Sequence, residues 1–198
     1  TLICAMVYLY FGMDVFDATA HAMTTISTGG FANYDASFGT FSGPLEYVAG
    51  IFMILAALPF VRYVQLINGN PTALHRDRQV RGFVMTIAVL IVVLMVLLED
   101  GIHLDHEQAV REAFFNVTSI ISGTGFSSVD YMQWGSFAVA LFFFIGLIGG
   151  CAGSTACSVK VFRYQLLFAS IRAQLQRIRS PHGIFTPRYD GRPVTEEV

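Results

Sequence analysis

Two short segments combine hydroxyl side chains with glycine in a chain that is otherwise mostly apolar. TTISTGGF covers residues 24–31, and SIISGTGF covers residues 119–126. Glycine allows a backbone with positive φ and the close approach of one backbone to another. A row of backbone carbonyls exposed in this way can replace the water shell of a cation. These segments therefore favour ion binding by main-chain oxygens over covalent catalysis.

The two segments are parts of a longer internal repeat. An offset of 95 residues, from Gly30 to Gly125, aligns VFDATAHAMTTISTGGFANYD with VREAFFNVTSIISGTGFSSVD without a gap. The flanking apolar stretches fall into the same register. A single glycine-containing turn is usually an ordinary connection. Its recurrence inside a repeated helix pattern favours a shared role in binding.

The composition predicts that these repeats lie in a membrane. The chain of 198 residues is 54% hydrophobic and 13% charged, which is unusual for a soluble domain. Runs long enough to span a bilayer are expected at Pro44–Ile67, with a kink at Pro59, at Gly82–Leu98, and from Trp134 onward. Thr1–Phe11 is interpreted as the end of another apolar helix.

Two further segments, Asp14–Ser27 and Asp105–Ser122, are too short or too polar to cross a bilayer. They are predicted to be re-entrant helices, whose ends must be surrounded by protein or water. The last apolar run is interrupted by GGCAGSTACS at residues 149–158, so it is predicted to be a broken helix. The fold class that follows is an all-α integral membrane protein built from helix, pore helix, helix repeats.

Charge placement predicts the orientation. Arginines flank the loop at residues 68–81 and follow the last span, so both regions are expected to be cytoplasmic. The opposite side is acidic, and Arg111 is its only basic side chain apart from histidine. Such a surface either concentrates cations or simply solvates the outer loops. Its acids are Asp14, Asp17, Asp35, Glu99, Asp100, Asp105, Glu107, Glu112 and Asp130.

Cysteine and histidine give little sign of a metal site or an active site. Cys4, Cys151 and Cys157 lack ligand spacing, and we expect them to be small buried residues. His21 on the first re-entrant helix is expected to be hydrogen-bonded within the packing. An intramembrane hydrolase is disfavoured because the remaining candidate histidines lie at the opposite end of a span from Ser154 and Cys151.

The segments HAMTTISTGGF, FFNVTSIISGTGF and GGCAGSTACSVKVFR resemble the Trk/Ktr/HKT superfamily of potassium transporters, and more closely its TrkH branch. The resemblance covers essentially the whole chain. Members have four helix, pore helix, helix repeats around a pore, and this chain resembles repeats two and three. It implies one repeat at residues 1–67, with its first helix clipped, a cytoplasmic loop at 68–81, a second repeat at 82–171 and a cytoplasmic connector at 172–198.

The resemblance also implies the site residues. A selectivity filter is expected at Thr28, Gly29, Gly30, Phe31, Gly123, Thr124, Gly125 and Phe126, with the phenylalanine rings packing behind it and the threonine hydroxyls near the ion path. A gate is expected in the loop below the filter, at Gly149, Gly150, Cys151, Ala152, Gly153, Ser154, Thr155, Ala156, Cys157 and Ser158, followed by Lys160.

The gate has alternative interpretations. The family usually has a glycine run where this chain has Ala156, Cys157 and Ser158, which puts the mobility of that half of the loop in question. The small residues could instead serve close helix packing. Lys160 either repels or pairs with charges below the filter, or extends to the membrane interface.

The function implied is potassium uptake across a bacterial inner membrane by a multi-pass protein, with no enzymatic activity and no cofactor besides the transported K⁺. Partners implied are membrane lipid, a second copy in a homodimer and a cytosolic nucleotide-binding subunit. The arginines of the connector either contact that subunit or only anchor the connector on the cytoplasmic side. No nucleic acid is expected. Coupling of transport to protons or sodium, as in symport, stays open. The alternative is a secondary transporter of a small solute, but its repeats would be inverted, and these are parallel.

Overall fold

The computed structural model describes residues 1–180, 188–189 and 192–193, and most of this part of the chain is helical. The α-helices are α1 Leu2–Tyr10, α2 Val15–Ile26, α3 Pro44–Ala56, α4 Phe60–Ile67, α5 Ala73–Arg76, α6 Arg78–Ile102, α7 His106–Ser122, α8 Ser136–Gly146 and α9 Val161–Arg179. Two 3₁₀ helices, Ser37–Phe41 and Tyr131–Trp134, follow the glycine-containing segments. Four two-residue strands complete the described structure: β1 Ile148–Gly149, β2 Val159–Lys160, β3 Arg188–Tyr189 and β4 Arg192–Pro193.

Both predicted re-entrant helices are present, as α2 and α7. The Asp14 carboxylate caps α2 by accepting from the Phe16 amide at 3.3 Å. α7 ends at Gly123, whose left-handed backbone closes the helix. At 12 and 17 residues, these helices are about 18 and 25 Å long, so neither reaches across the roughly 30 Å of a bilayer core.

The predicted central span is confirmed as α6, which has an apolar stretch from Arg78 to Glu99. Among the described residues, this is the one continuous helix that is long and apolar enough to cross a membrane. The Asp77 carboxylate caps it through the amides of Gln79 and Val80. α6 begins four residues before the predicted span, inside the region assigned to the cytoplasmic loop, which also contains α5.

The predicted span Pro44–Ile67 is not one kinked helix. It divides into α3 and α4, whose axes differ by 89°. Pro59 has no amide to donate and disfavours helical backbone at the residue before it. The Phe60 amide bonds the Gly153 carbonyl at 3.0 Å instead of continuing the helix. The chain therefore turns sharply where it meets the loop after α8.

The last apolar run is broken as predicted. α8 ends at Gly146, and α9 begins at Val161 and extends to Arg179, eight residues beyond the predicted end of the repeat. β1 and β2 pair in parallel between the two helices, joining Ile148 to Val159 and Gly149 to Lys160. The remainder of the predicted connector, residues 181–187, 190–191 and 194–198, lies outside the described residues.

Two apolar clusters hold the helices together. One joins α1, α2 and α3, and it includes Phe115 and Phe126 from the second repeat. The other joins α6, α7 and α8 around Phe83, Leu94 and Ile121. Because aromatic residues of the second repeat lie in the core of the first, the two repeats form one packed body around the glycine-containing turns.

Candidate ion-binding site

The two glycine-containing turns have the same backbone geometry. Gly30 and Gly125 have φ of +66° and +83°, as the sequence predicted for residues that avoid a Cβ. Two residues earlier, Thr28 and Gly123 are also left-handed, with φ of +51° and +76°. All four positions match at the offset of 95 residues. The repeat therefore extends from the sequence to the conformation of the turns.

The first turn lies directly against the second. A Cβ on Gly30 would lie 1.9 Å from the Thr124 carbonyl oxygen, so only glycine fits there without moving that carbonyl. A Cβ on Gly125 would meet no atom within 4 Å in the described structure. The contact thus places candidate ion ligands of both turns side by side, and it leaves an open face beside Gly125.

The second turn is held by side chains of its own pore helix. Ser119 donates to the Phe126 carbonyl at 2.6 Å, and Asn116 bonds Ser128 through its side-chain amide at 2.8 Å. Ser122 and Thr124 share a hydrogen bond of 2.8 Å between their hydroxyls. The predicted Phe126 carbonyl is therefore already engaged by the pore helix, and the Thr124 hydroxyl faces Ser122.

The first turn is held differently. The Thr28 hydroxyl lies 2.7 Å from the Ser27 carbonyl and 2.9 Å from the carbonyl of Thr155 in the loop after α8. Beyond the turn, Asn33 and Tyr34 donate to the Asp17 carboxylate at 2.8 and 2.7 Å. These two bonds, that from Asn33 first, hold the pKa of Asp17 below its usual value. Asp17 is therefore an anchor for the strand that follows the turn.

The two phenylalanines that follow the turn glycines differ in environment. Phe126 is buried and packs near Phe38 and His21, with ring centroids 5.3 and 5.9 Å away. Phe31 is 78% exposed in this chain, so among the described residues the predicted packing behind the filter is seen for Phe126 and stays a prediction for Phe31. The two rings are not equivalent because the apolar cluster of the first repeat covers only Phe126.

The His21 ring is hydrogen-bonded within the packing, as predicted, through one of its two nitrogens. Its Nδ1 lies 2.8 Å from the Asp17 carbonyl, which matches the bond from Asn116 to the Glu112 carbonyl in the second repeat. Its Nε2 is buried without a hydrogen-bond partner among the described residues. The histidine thus packs against its own helix and the aromatic rings.

The predicted gate loop lies against the inner ends of α2 and α3. The Thr155 hydroxyl contacts the carbonyls of Ile26 and Ala56 at 3.2 and 3.1 Å. The Cys151 amide donates to the Ala57 carbonyl at 3.0 Å, and the Ala152 amide donates to the Gln79 side chain at the same distance. The loop is therefore hydrogen-bonded to the ends of α2 and α3 and to the start of α6, on the inner side of the first turn.

The second half of the loop departs from the expectation for a glycine run. Ser158 has φ of +62°, a conformation that glycine adopts more easily, and its hydroxyl donates to the Gly146 carbonyl at 2.7 Å. Lys160 is half-buried and donates to the Ala156 carbonyl. Cys157 is exposed, with its sulfur 3.9 Å from the Gly123 carbonyl oxygen, so the prediction of three buried cysteines holds only for Cys4 and Cys151.

An ion pair near the outer end of the helices was missed at the level of the sequence. Arg111 on α7 pairs with Glu46 on α3 and, at 3.2 Å, with Glu107. The Glu46 side chain is only 2% exposed. The available signal was that Arg111 is the lone basic residue in an acidic region, since an isolated cation at membrane depth requires a partner.

The outer acids do not form a metal centre. The described residues contain no group of three or more His, Cys, Asp or Glu side chains placed to hold a metal ion. Asp35 and Asp130, which match in the repeat, line an outer cavity of about 510 Å³. Asp17 and Glu112 are buried. The buried pair therefore lies within the packing of the pore helices, and the exposed pair faces this cavity.

Comparison with known proteins gives consistent matches. The family model described as "TrkH: Cation transport protein" matches residues 2–198. Over its whole length the chain is 38% identical to the Trk system potassium uptake protein TrkI of Halomonas elongata and 30% identical to TrkH of Escherichia coli K12, covering 40% and 42% of those proteins. The crystal structure of the potassium transporter TrkH from Vibrio parahaemolyticus matches 98% of the chain, with a TM-score of 0.93 and 29% identity, and 42% of that protein is covered. The chain thus spans about two fifths of these relatives.

Proposed function

The chain belongs to the TrkH family of cation transport proteins, and from this premise we propose that it supplies two filter turns and the gate of a membrane pore that carries potassium ions into the cell. The ions bind the backbone carbonyls of residues 28–31 and 123–126. Carbonyl oxygens replace the hydration shell, and several neighbouring sites keep binding weak enough for release. The related potassium uptake proteins support potassium as the transported ion.

The contact between Gly30 and the Thr124 carbonyl is the observation that carries this proposal. Two left-handed turns from different repeats meet with no side chain between them. Ordinary connecting turns have no need of such a contact. The face beside Gly125 is open, with no atom within 4 Å of a Cβ placed there, which supports a ring containing filter segments from outside this chain.

The loop at residues 149–158 is the gate of the pore. It lies inside the filter, contacts both turns and is bounded by the broken helix, and non-helical backbone at membrane depth is tolerated where it lines a water-filled path. We place residues 68–81 and 172–180 in the cytoplasm, because arginines concentrate there. The transporter is a homodimer in the bacterial inner membrane, and a cytosolic nucleotide-binding subunit docks on its arginine-rich inner face.

The experiment is rubidium and sodium flux into vesicles that contain the complete transporter. Gly30→Ser and Gly125→Ser are compared with wild type. Gly69→Ser is the matched control, because Gly69 also has a positive φ and open surroundings but lies on the cytoplasmic side. We expect rubidium flux, or its preference over sodium, to fall in both filter variants and to persist in the control.

Two results would contradict the pore. Wild-type vesicles that carry no rubidium would remove the proposed activity. Flux that is equally insensitive to Gly30→Ser, Gly125→Ser and Gly69→Ser would show that the turns are only connections, and it would favour a transporter that binds its solute elsewhere in the broken helices.

A further inference from the structure

The gate loop is bonded to the two turns unequally. Its hydrogen bond with the first turn comes from the Thr28 hydroxyl, which lies 2.9 Å from the Thr155 carbonyl across 127 residues of sequence and shares its one proton between that carbonyl and the Ser27 carbonyl at 2.7 Å. With the second turn the corresponding contact is the Cys157 sulfur, 3.9 Å from the Gly123 carbonyl oxygen. A sulfhydryl is a weak donor, so the loop holds the first turn far more firmly than the second.

The two turns also differ in how their own pore helices support them. In the second repeat, Ser119 holds the Phe126 carbonyl and Asn116 holds Ser128. The matching residues of the first repeat do neither in the described structure. Thr24 donates back to carbonyls of its own helix, and His21 uses Nδ1 on the Asp17 carbonyl. Beyond the turn, α2 anchors the chain through Asp17, so the side-chain support of the turn itself comes from the inside, by the loop.

Thr28 requires such support. It is a β-branched residue with φ of +51°, where side chains other than glycine are disfavoured. It is also nearly buried, so its hydroxyl depends on protein partners. A residue persists in this conformation only when its surroundings fix it. The Thr155 carbonyl is the partner that comes from outside the pore helix.

We propose that the hydrogen bond between Thr28 and Thr155 couples the gate to the filter, so that the loop in this position fixes the first turn and its departure frees that turn. The inference rests on the proposed pore function and adds a route by which gate and filter communicate. Coupling between two sites acts in both directions. An ion in the filter therefore stabilises the loop, and the loop stabilises the filter, through the first repeat alone.

The first test is basal rubidium flux in vesicles containing the complete transporter with Thr28→Val, Thr28→Ser or Thr24→Val. Valine keeps the branched shape and removes the donor, whereas serine keeps the donor. Thr24→Val is the matched control, because the Thr24 hydroxyl bonds only its own helix. One net hydrogen bond corresponds to a change of about two- to tenfold. We expect that increase in basal flux, with a lower preference for rubidium over sodium, for Thr28→Val, a smaller increase for Thr28→Ser, and no change for Thr24→Val.

The outcomes separate the coupling from the pore itself. Flux in Thr28→Val equal to wild type, or equal effects of valine and serine, would overturn the coupling while leaving a conducting pore that is sensitive to Gly30→Ser. A wild-type transporter without rubidium flux would overturn the proposed function, and the coupling with it.

A second measurement needs no variant of Thr28 and so covers a failure of Thr28→Val to fold. Cys151 lies in the loop and is fully buried, so its reaction with a thiol reagent reports opening of the loop. Labelling of Cys151 in the wild-type transporter, followed by peptide mass mapping, is compared in potassium and in choline. We expect it to be about two- to tenfold slower in potassium. Equal rates would overturn the coupling.

Discussion

Removing Arg111 should destabilise the protein more than removing its partner Glu46. Glu46 is 2% exposed at its side chain, so Arg111→Met leaves a buried carboxylate without a countercharge. Breaking a buried pair in this way costs about 3–5 kcal/mol. Glu46→Met leaves Arg111 with a second partner, Glu107, which is largely exposed, and the loss should be about 1–2 kcal/mol. Because α3 and α7 belong to different repeats, the pair also fixes the contact between those repeats.

The double variant Glu46→Met with Arg111→Met distinguishes a buried pair from two independent side chains. Replacing both charges by apolar residues is often close to neutral, so the double variant should be more stable than Arg111→Met alone. The assay is the unfolding midpoint of the purified transporter in detergent, with Glu107→Gln as a control that removes only the exposed partner. Equal midpoints for the two single variants, or a double variant as unstable as the sum of both, would refute this reasoning.

Two further predictions concern glycine and serine in strained backbone. Gly30→Ala should lower rubidium flux about 10- to 150-fold, because the Thr124 carbonyl must move and the loss of one oxygen ligand is comparable to the loss of a hydrogen bond to a charged group, about 1.5–3 kcal/mol. In Gly29→Ala the added Cβ meets its nearest atom at 3.3 Å, so rubidium flux should fall by less than about tenfold. Ser158→Ala and Ser158→Gly both lose the hydrogen bond to the Gly146 carbonyl. Alanine also keeps the cost of a side chain at positive φ, whereas glycine removes that cost, so melting curves should show Ser158→Ala about 1 kcal/mol less stable than Ser158→Gly. Equal flux for the two glycine variants, or Ser158→Ala melting above Ser158→Gly, would contradict these accounts.

The sequence predicted the features that depend on local pattern. The re-entrant segment that starts at Asp14, the apolar run of α6 and the interruption at residues 149–158 each follow from residues within one or two turns of helix. The repeat predicted left-handed backbone at Gly30 and Gly125, because glycine adopts a positive φ that other residues disfavour. Apolar periodicity and the repeat together were therefore sufficient for the order of the apolar spans and pore helices, but not for the separate helices α4 and α5.

Features that depend on contacts between distant residues were not predicted. The sequence predicted a kink at Pro59 but not a bend of 89°, at which the Phe60 amide bonds a carbonyl in a loop 93 residues away in sequence, Gly153. The Thr28 bond to Thr155 and the Arg111 pair with Glu46 likewise join segments that the repeat alone does not bring together. The difference in exposure between Phe31 and Phe126 was not predicted for the same reason, since identical residues at matching positions have different neighbours.

The parallel pairing of β1 with β2 has a consequence for how this region can diverge among relatives. Because Ile148 pairs with Val159 and Gly149 with Lys160, the ends of α8 and α9 are fixed to each other irrespective of the chain between them. Residues 150–158 form a loop that this strand pair closes. An insertion or deletion there changes the loop without shifting either helix. Evolution can thus alter the length and composition of this segment while the surrounding scaffold keeps its register.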